Sequence, residues 1–205
     1  MEASIDPVAG IEWLAGLFPV RAPRRGSLTV MFTDIEGFTA YAATRGDRAA
    51  ARLVHRHDAA VLPAIRRHSG RILKRLGDGL MAAFASPAAA LRAALEMQGA
   101  ARGVRLRIGI HAGRARARAG DLIGHEVNVA ARIAERALGG EILVSDTVRG
   151  GADGLPAHFR PARALVIAGR EPRPLFRVRA TTMSAACQTP PGGRRMDRTQ
   201  GGQHV

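Results

Sequence analysis

A buried-strand pattern, Leu28 to Thr33 (LTVMFT), runs straight into Asp34, and Gly77-Asp78-Gly79 sets Asp78 at the tip of what reads as a hairpin. Two carboxylates placed like this, one at a strand end and one on a neighbouring hairpin, are the parts of a two-metal site. Such a site uses hard oxygen ligands and keeps water. Its metals clamp the attacking and leaving oxygens in phosphoryl transfer. Each aspartate also has an ordinary reading: Asp34 as the N-cap of a following helix, Asp78 as a plain turn residue. Lys74 stands four residues before Asp78, in the strand entering the hairpin, where a solvated side chain is the ordinary reading. Asn128 and Arg132 are spaced i, i+4 and share one helix face, which alone fits an exposed polar face. Asp121 follows Gly120 in a loop ahead of that helix, a common turn position.

Composition gives two of these residues more weight. Lys74 is the one lysine among 31 basic residues, and Asn128 is the one asparagine in the chain. Both have AT-rich codons in a chain biased toward Arg and Ala. Residues that survive such a bias mark positions where Arg or Asp would not serve.

The elements that must hold these side chains follow from pattern and punctuation. Asp34 to Thr39 (DIEGFT) opens a helical region, and Asp47–Ser69 has helical composition, with a kink expected at Pro63 and a C-cap at Gly70. Arg71–Leu76 and Leu80–Phe84 flank the Gly-Asp-Gly turn. Ser86-Pro87 supplies an N-cap and first-turn proline for a helix running to about Arg102. Arg105–His111 alternates as a strand, and Gly113–Gly120 reads as a basic loop or small hairpin. Val127–Leu138 is helical up to Gly139-Gly140. Strands are expected at Glu141–Ser145, Ala164–Ala168 and Leu175–Val178. The mixture of strands and helices with at least one hairpin predicts an α+β fold, a sheet with helices packed on one side. No internal repeat is present.

The chain has 205 residues, enough for one domain plus extensions. Hydrophobic residues are 46% and aromatics only 4%, so aliphatic side chains must fill the core. The single cysteine, Cys187, excludes an intramolecular disulfide framework and a Cys-rich zinc module. No apolar run approaches the roughly 20 residues of a membrane span, and the first residues carry Glu2 and Asp6 rather than a basic signal region. A cytoplasmic protein is expected. The net charge of +14 favours polyanionic ligands such as nucleic acid, anionic membrane or nucleoside phosphates, although coding bias toward Arg also accounts for it. The basic residues are dispersed and no aromatic stacking platform is visible, which argues against a nucleic-acid binder. Residues 1–26 are read as a leader with an apolar patch from Ile11 to Phe18, 27–180 as the folded domain, and 181–205 as a polar, Gly/Pro-rich disordered tail.

In order, the chain reads FTDIEGFT at 32–39, Lys74-x-x-Gly77-Asp78-Gly79, Arg107-Ile-Gly-Ile-His-Ala-Gly113, then Asp121-x-x-Gly124-x-x-Val127-Asn128-x-x-x-Arg132. This series closely resembles the class III nucleotide cyclases, the adenylate and guanylate cyclase catalytic domain, from about Leu28 to Val178. The resemblance implies a ferredoxin-like, palm-type antiparallel sheet with helices packed on it. It implies that Asp34 and Asp78 hold two Mg²⁺ or Mn²⁺ ions per site, with the Ile35 carbonyl a further ligand. It puts Lys74 and Asp121 at the purine-selecting positions, Asn128 on the ribose and Arg132 on the α-phosphate. Arg170 and Arg107 fall near the terminal phosphates. It also implies a homodimer, because the metal half and the purine/Arg half of one site come from two subunits.

Lys74 and Asp121 can then be read chemically. Adenine offers an acceptor at N1 and a donor amine at N6; an ammonium only donates and a carboxylate only accepts. Guanine meets both with the wrong polarity, and buried polar pairs reject such a mismatch. The expected activity is therefore adenylate cyclase, converting ATP to 3′,5′-cyclic AMP and pyrophosphate. The alternative is a weak or inactive cyclase-homology module with a regulatory role. Against it, all six chemical positions carry suitable residues. The series departs from the resemblance in two places. The 113–121 segment is short, which bears on dimer strength, and His125-Glu126 replaces the Asp-Thr or Asn-Thr usual before Val-Asn, which bears on loop packing or pH sensitivity.

Overall fold

The structure, a computed structural model, describes residues 27–114, 116–118, 121–123, 125–167 and 171–181. The apolar patch at 11–18, Arg170 and all but the first residue of the expected tail lie outside the described residues.

Strand β1 (Ser27–Ile35) is followed by α1 (Phe38–Arg45), α2 (Asp47–Arg67) and the hairpin β2 (Arg71–Leu76) and β3 (Gly79–Phe84). Next come α3 (Pro87–Ala100), β4 (Leu106–Arg114), the short pair β5 (Arg116–Arg118) and β6 (Asp121–Ile123), and α4 (His125–Arg136). The described chain closes with β7 (Ile142–Ser145), α5 (Asp146–Gly150), β8 (Ala157–Leu165) and β9 (Arg173–Ala180). Seven strands form one sheet in the order β2-β3-β1-β4-β7-β9-β8, while β5 and β6 pair separately. The sheet is α+β as expected but mixed rather than wholly antiparallel, because β4 and β7 run parallel. A parallel neighbour needs a crossover, and β5, β6 and α4 make it.

That crossover corrects the expectation of helices on one side. Along β1, Met31 and Ile35 face a core shared with Leu53, Val61 and Ile65 of α2 and Leu91, Ala94 and Met97 of α3. Leu28 and Val30 point the other way and meet Val127 and Ala130 of α4. Further along the same face, Val129, Ile133 and Ala137 pack on Leu143, Leu165 and Leu175. The period-2 alternation of β1 thus feeds two cores. With few aromatics, close approach substitutes for bulk: a Cβ built on Gly109 of β4 falls 2.2 Å from the Ala134 backbone nitrogen of α4.

Local signals explain most boundaries. Ser86 Oγ accepts from the Ala89 backbone N–H at 3.2 Å, capping α3 with Pro87 at its start. Pro63 is exposed within α2, and the helix continues past it. α2 ends at His68, with Ser69 rather than Gly70 taking the left-handed conformation (φ 56°) and the Gly70 N–H closing the last turn on the Ile65 carbonyl at 2.8 Å. Gly70 is small for another reason: a Cβ there would stand 2.3 Å from the Phe84 ring. α5 and most of β8 were not expected from sequence. β8 carries Pro161 and alternates polar residues, which an edge strand tolerates.

Candidate active site

Asp34 lies inside β1, not after it, and α1 is capped by Gly37 instead. Its cross-strand partner on β4 is Arg107. The guanidinium grips the carboxylate as a fork, Nε to Oδ1 at 2.5 Å and Nη2 to Oδ2 at 2.9 Å. On the other side of β1, the β2–β3 turn brings Asp78 in, and Asp78 Oδ2 accepts from the Ile35 backbone N–H at 3.0 Å. Glycine makes this approach possible twice. Gly77 takes φ 60° in the turn, and a Cβ on Gly79 would sit 2.0 Å from the Thr33 carbonyl oxygen. Burial pushes the Asp34 carboxyl above its ordinary value, the Arg107 fork and charge draw it back, and the nearby Asp78 charge adds to the rise.

Asp34, Ile35, Asp78 and Arg107 therefore gather at one end of β1. Their oxygens, two carboxylates and a backbone carbonyl, suit a hard divalent cation that completes its shell with phosphate and water. Among the described residues no group of three or more His, Cys, Asp or Glu forms a self-sufficient metal cage. A bound polyphosphate would have to supply the remaining oxygens.

Lys74 and α4, the helix of Asn128 and Arg132, lie on the Asp34 face of the sheet. Lys74 is the register partner of Met81, and Met81 of Phe32, so Lys74 shares the face of Phe32 and Asp34. The ladder slips between Ile72 and Lys74, which sets that register. Asp121 begins β6, in register with Arg118, and is not in a loop; β6 lies against β2, the strand of Lys74. Asn128 and Arg132 are both exposed on α4, one turn apart. Arg107, expected near phosphates, is held on Asp34.

Three polar clusters escaped sequence reasoning. Glu36 bonds the Arg105 guanidinium through Oε2 and accepts from the Gly139 N–H through Oε1 at 2.8 Å, tying the end of β1 to the end of α4. Buried His57 of α2 contacts Thr33 Oγ1 through Nε2 at 3.1 Å and Asp58 Oδ1 through Nδ1 at 3.1 Å. Asp58 in turn takes two bonds from Arg75 of β2, at 3.2 and 2.9 Å. Burial holds the His57 pKa below its ordinary 6.5. Third, His111 of β4 meets Glu126 of α4. The Glu36 contact had a sequence signal, its place two residues after Asp34; the histidines had none, because polar partners far apart in sequence leave no periodicity.

Comparison with known proteins settles the family. The model of the adenylate and guanylate cyclase catalytic domain matches residues 20–170. The chain belongs to this family, the class III nucleotide cyclases. A Silicibacter pomeroyi protein described as an adenylate/guanylate cyclase/hydrolase is similar in structure, with a TM-score of 0.66 and 28% identity. The match covers 75% of this chain and 96% of that one. The structure of Trypanosoma brucei adenylate cyclases in their monomeric state matches with a TM-score of 0.66 and 25% identity, over 77% of this chain and 92% of that one. Among curated relatives, a putative adenylate cyclase 3 of Rhizobium meliloti is 30% identical over 61% of this chain and 23% of its own length. The Myxococcus xanthus serine/threonine-protein kinase pkn2 is 28% identical over 82% of this chain and 21% of its length. This chain thus matches less than a quarter of the length of either of these two proteins. No described helix is long and apolar enough to cross a membrane.

Proposed function

We propose that this cyclase domain is an adenylate cyclase, closing ATP to 3′,5′-cyclic AMP and releasing pyrophosphate at sites shared between two copies of the chain. The observation that carries the reading is the meeting of Asp34 and Asp78 at the end of β1, with the Ile35 N–H on Asp78. Asp34, Asp78 and the Ile35 carbonyl would hold two Mg²⁺ or Mn²⁺ ions. Such ions would supply Lewis acidity at the ribose 3′-hydroxyl and charge neutralisation at the triphosphate.

The remaining work falls to side chains. Lys74 donates to adenine N1 and Asp121 accepts from the N6 amine. Asn128 orients the ribose so that its 3′-oxygen lies in line with the α-phosphorus. The O3′–P bond forms, the bond from the α-phosphorus to the bridging oxygen breaks, and the hydroxyl proton passes to solvent. Arg132 meets the charge that gathers on the α-phosphate oxygens. Arg170 serves the terminal phosphates. Arg107 keeps Asp34 ionised and aligned, and would place a positive charge beside the triphosphate.

The test is purified protein with Mn²⁺ and either ATP or GTP, assayed for cyclic nucleotide over a range of protein concentrations. Cyclic AMP formed in preference to cyclic GMP supports the reading. Cyclic GMP in preference, or no cyclic product at any concentration, overturns it, the last outcome favouring the regulatory-module alternative.

A further inference from the structure

α4 carries Asn128 and Arg132 on its exposed side, yet its own axis must be fixed before those side chains have a fixed place. Three contacts set it, one to the end of β1 and two to β4. Near the far end of α4, Gly139 donates to Glu36. In its last turn, Gly109 of β4 admits the Ala134 backbone. At the near end, Glu126 in the first turn reaches into the sheet, where its Oε2 lies 2.5 Å from Nε2 of His111. A Cβ on Gly113 would collide with the Glu126 side chain at 2.7 Å, so the strand leaves a slot for it.

His111 is 1% exposed and held from both sides. Its Nδ1 lies 2.7 Å from Ser145 Oγ of β7, Ser145 Oγ lies 2.8 Å from Thr147 Oγ1 of α5, and Thr147 donates to the Ala112 carbonyl at 2.8 Å. A two-nitrogen ring with both nitrogens engaged cannot rotate without leaving a buried polar atom unpaired. The imidazole is therefore a fixed post and Glu126 the strut that ties α4 to it. Glu126 is two residues from Asn128 and six from Arg132.

We infer that Glu126 and His111 are a positioning pair for the ribose and α-phosphate half of the site, acting through the register of α4 and not by touching substrate. This rests on the adenylate cyclase reading above. A rigid support of this kind governs transition-state geometry more than ground-state binding, and misplacement on the order of 1 Å costs up to about 10²-fold in rate.

The experiment uses the full chain with Mn²⁺ and ATP. Glu126→Ala is expected to lower kcat by about 10- to 100-fold with KM changed by less than about threefold, at protein concentrations where the dimer is saturated. Glu126→Gln keeps a carbonyl that accepts from His111 Nε2–H and is expected to retain most of the parent rate. Mixing then assigns the effect to one half of the site. Glu126→Ala should regain activity with Asp78→Ala, because one shared site then has an intact α4 and intact carboxylates. It should gain nothing with Arg132→Ala, which damages the same half. The inference is overturned by an unchanged kcat, by loss confined to KM, by Glu126→Gln falling as far as Glu126→Ala, or by equal rescue from both mixtures. Loss of the cyclase reading looks different: the parent protein itself makes no cyclic AMP, or the Asp78→Ala and Arg132→Ala control pair does not complement.

Discussion

Replacing Asp34 or Asp78 with alanine removes a carboxylate and no core volume, since both side chains are half-buried at the edge of the packed region. Either variant is expected to fold and to lose cyclisation. Retention of more than about a tenth of kcat (~1.4 kcal/mol of barrier) in a steady-state assay would reject the two-carboxylate assignment. Substrate choice is a second residue-scale matter. Lys74→Glu with Asp121→Cys gives guanine an acceptor for N1–H and a weak donor for O6 while removing both matches to adenine. Each lost polar match is worth roughly 1–3 kcal/mol, so the ATP-to-GTP ratio of kcat/KM should fall on the order of 10²-fold or more. An unchanged ratio would mean the pair does not touch the base. The buried histidines add a pH dependence. Burial lowers the pKa of both His57 and His111 from 6.5, with their carboxylate partners Asp58 and Glu126 opposing the shift. The unfolded chain therefore takes up protons near pH 6.5 that the native protein refuses, so their contribution is complete above about 6.5 and is lost as pH falls. Thermal midpoints should decline on the acid side from there, and NMR titration should give imidazole midpoints below 6.5 for both rings; a midpoint at or above 6.5 contradicts this.

At the scale of elements, α4 and β4 meet backbone to backbone at Gly109 and Ala134. Gly109→Ala puts a methyl 2.2 Å from the Ala134 nitrogen and 2.5 Å from its Cα. Backbone cannot yield as a side-chain tip would, so a loss of about 1–3 kcal/mol is expected in chemical denaturation, with activity reduced further because α4 shifts. Ser86→Ala removes the cap of α3 and should cost about 1 kcal/mol without touching kcat. These elements were legible from sequence to unequal degrees. β1, the β2–β3 hairpin and α3 announced themselves, because a continuous apolar run, a Gly-Asp-Gly turn and a Ser-Pro start are local signals. The bringing together of Asp34 and Asp78 was legible for the same reason. β8 was not, since Pro161 and exposed Arg160 and Arg163 mask an edge strand. Nor was the side of the sheet on which α4 packs, which follows from a single parallel pairing, β4 with β7, decided by tertiary contacts. The Arg107 fork on Asp34 was invisible for a related reason: it depends on register between strands far apart in the chain.

For the whole molecule, the carboxylates sit at one end of β1 while Asn128 and Arg132 face outward on α4, so a second copy is expected to complete each site. Specific activity should rise with protein concentration, and Asp78→Ala mixed with Arg132→Ala should regain activity in heterodimers; inactivity of heterodimers shown to form would reject shared sites. The sheet order has a separate consequence for synthesis. β1 lies inside the sheet, between β3 and β4, yet it is made before both. The Arg107–Asp34 contact joins residues 73 apart, and the Gly139–Glu36 contact residues 103 apart. A growing chain thus carries LTVMFT unpaired until β3 and then β4 leave the ribosome, and the second face of β1 stays bare until α4 follows. Such long-range closure is slow, and bare apolar strands invite the wrong partners meanwhile. The strand that carries Asp34 is the one that waits longest to be covered, so slow translation between β1 and β4 should cost yield of folded protein more than the same delay placed after α4.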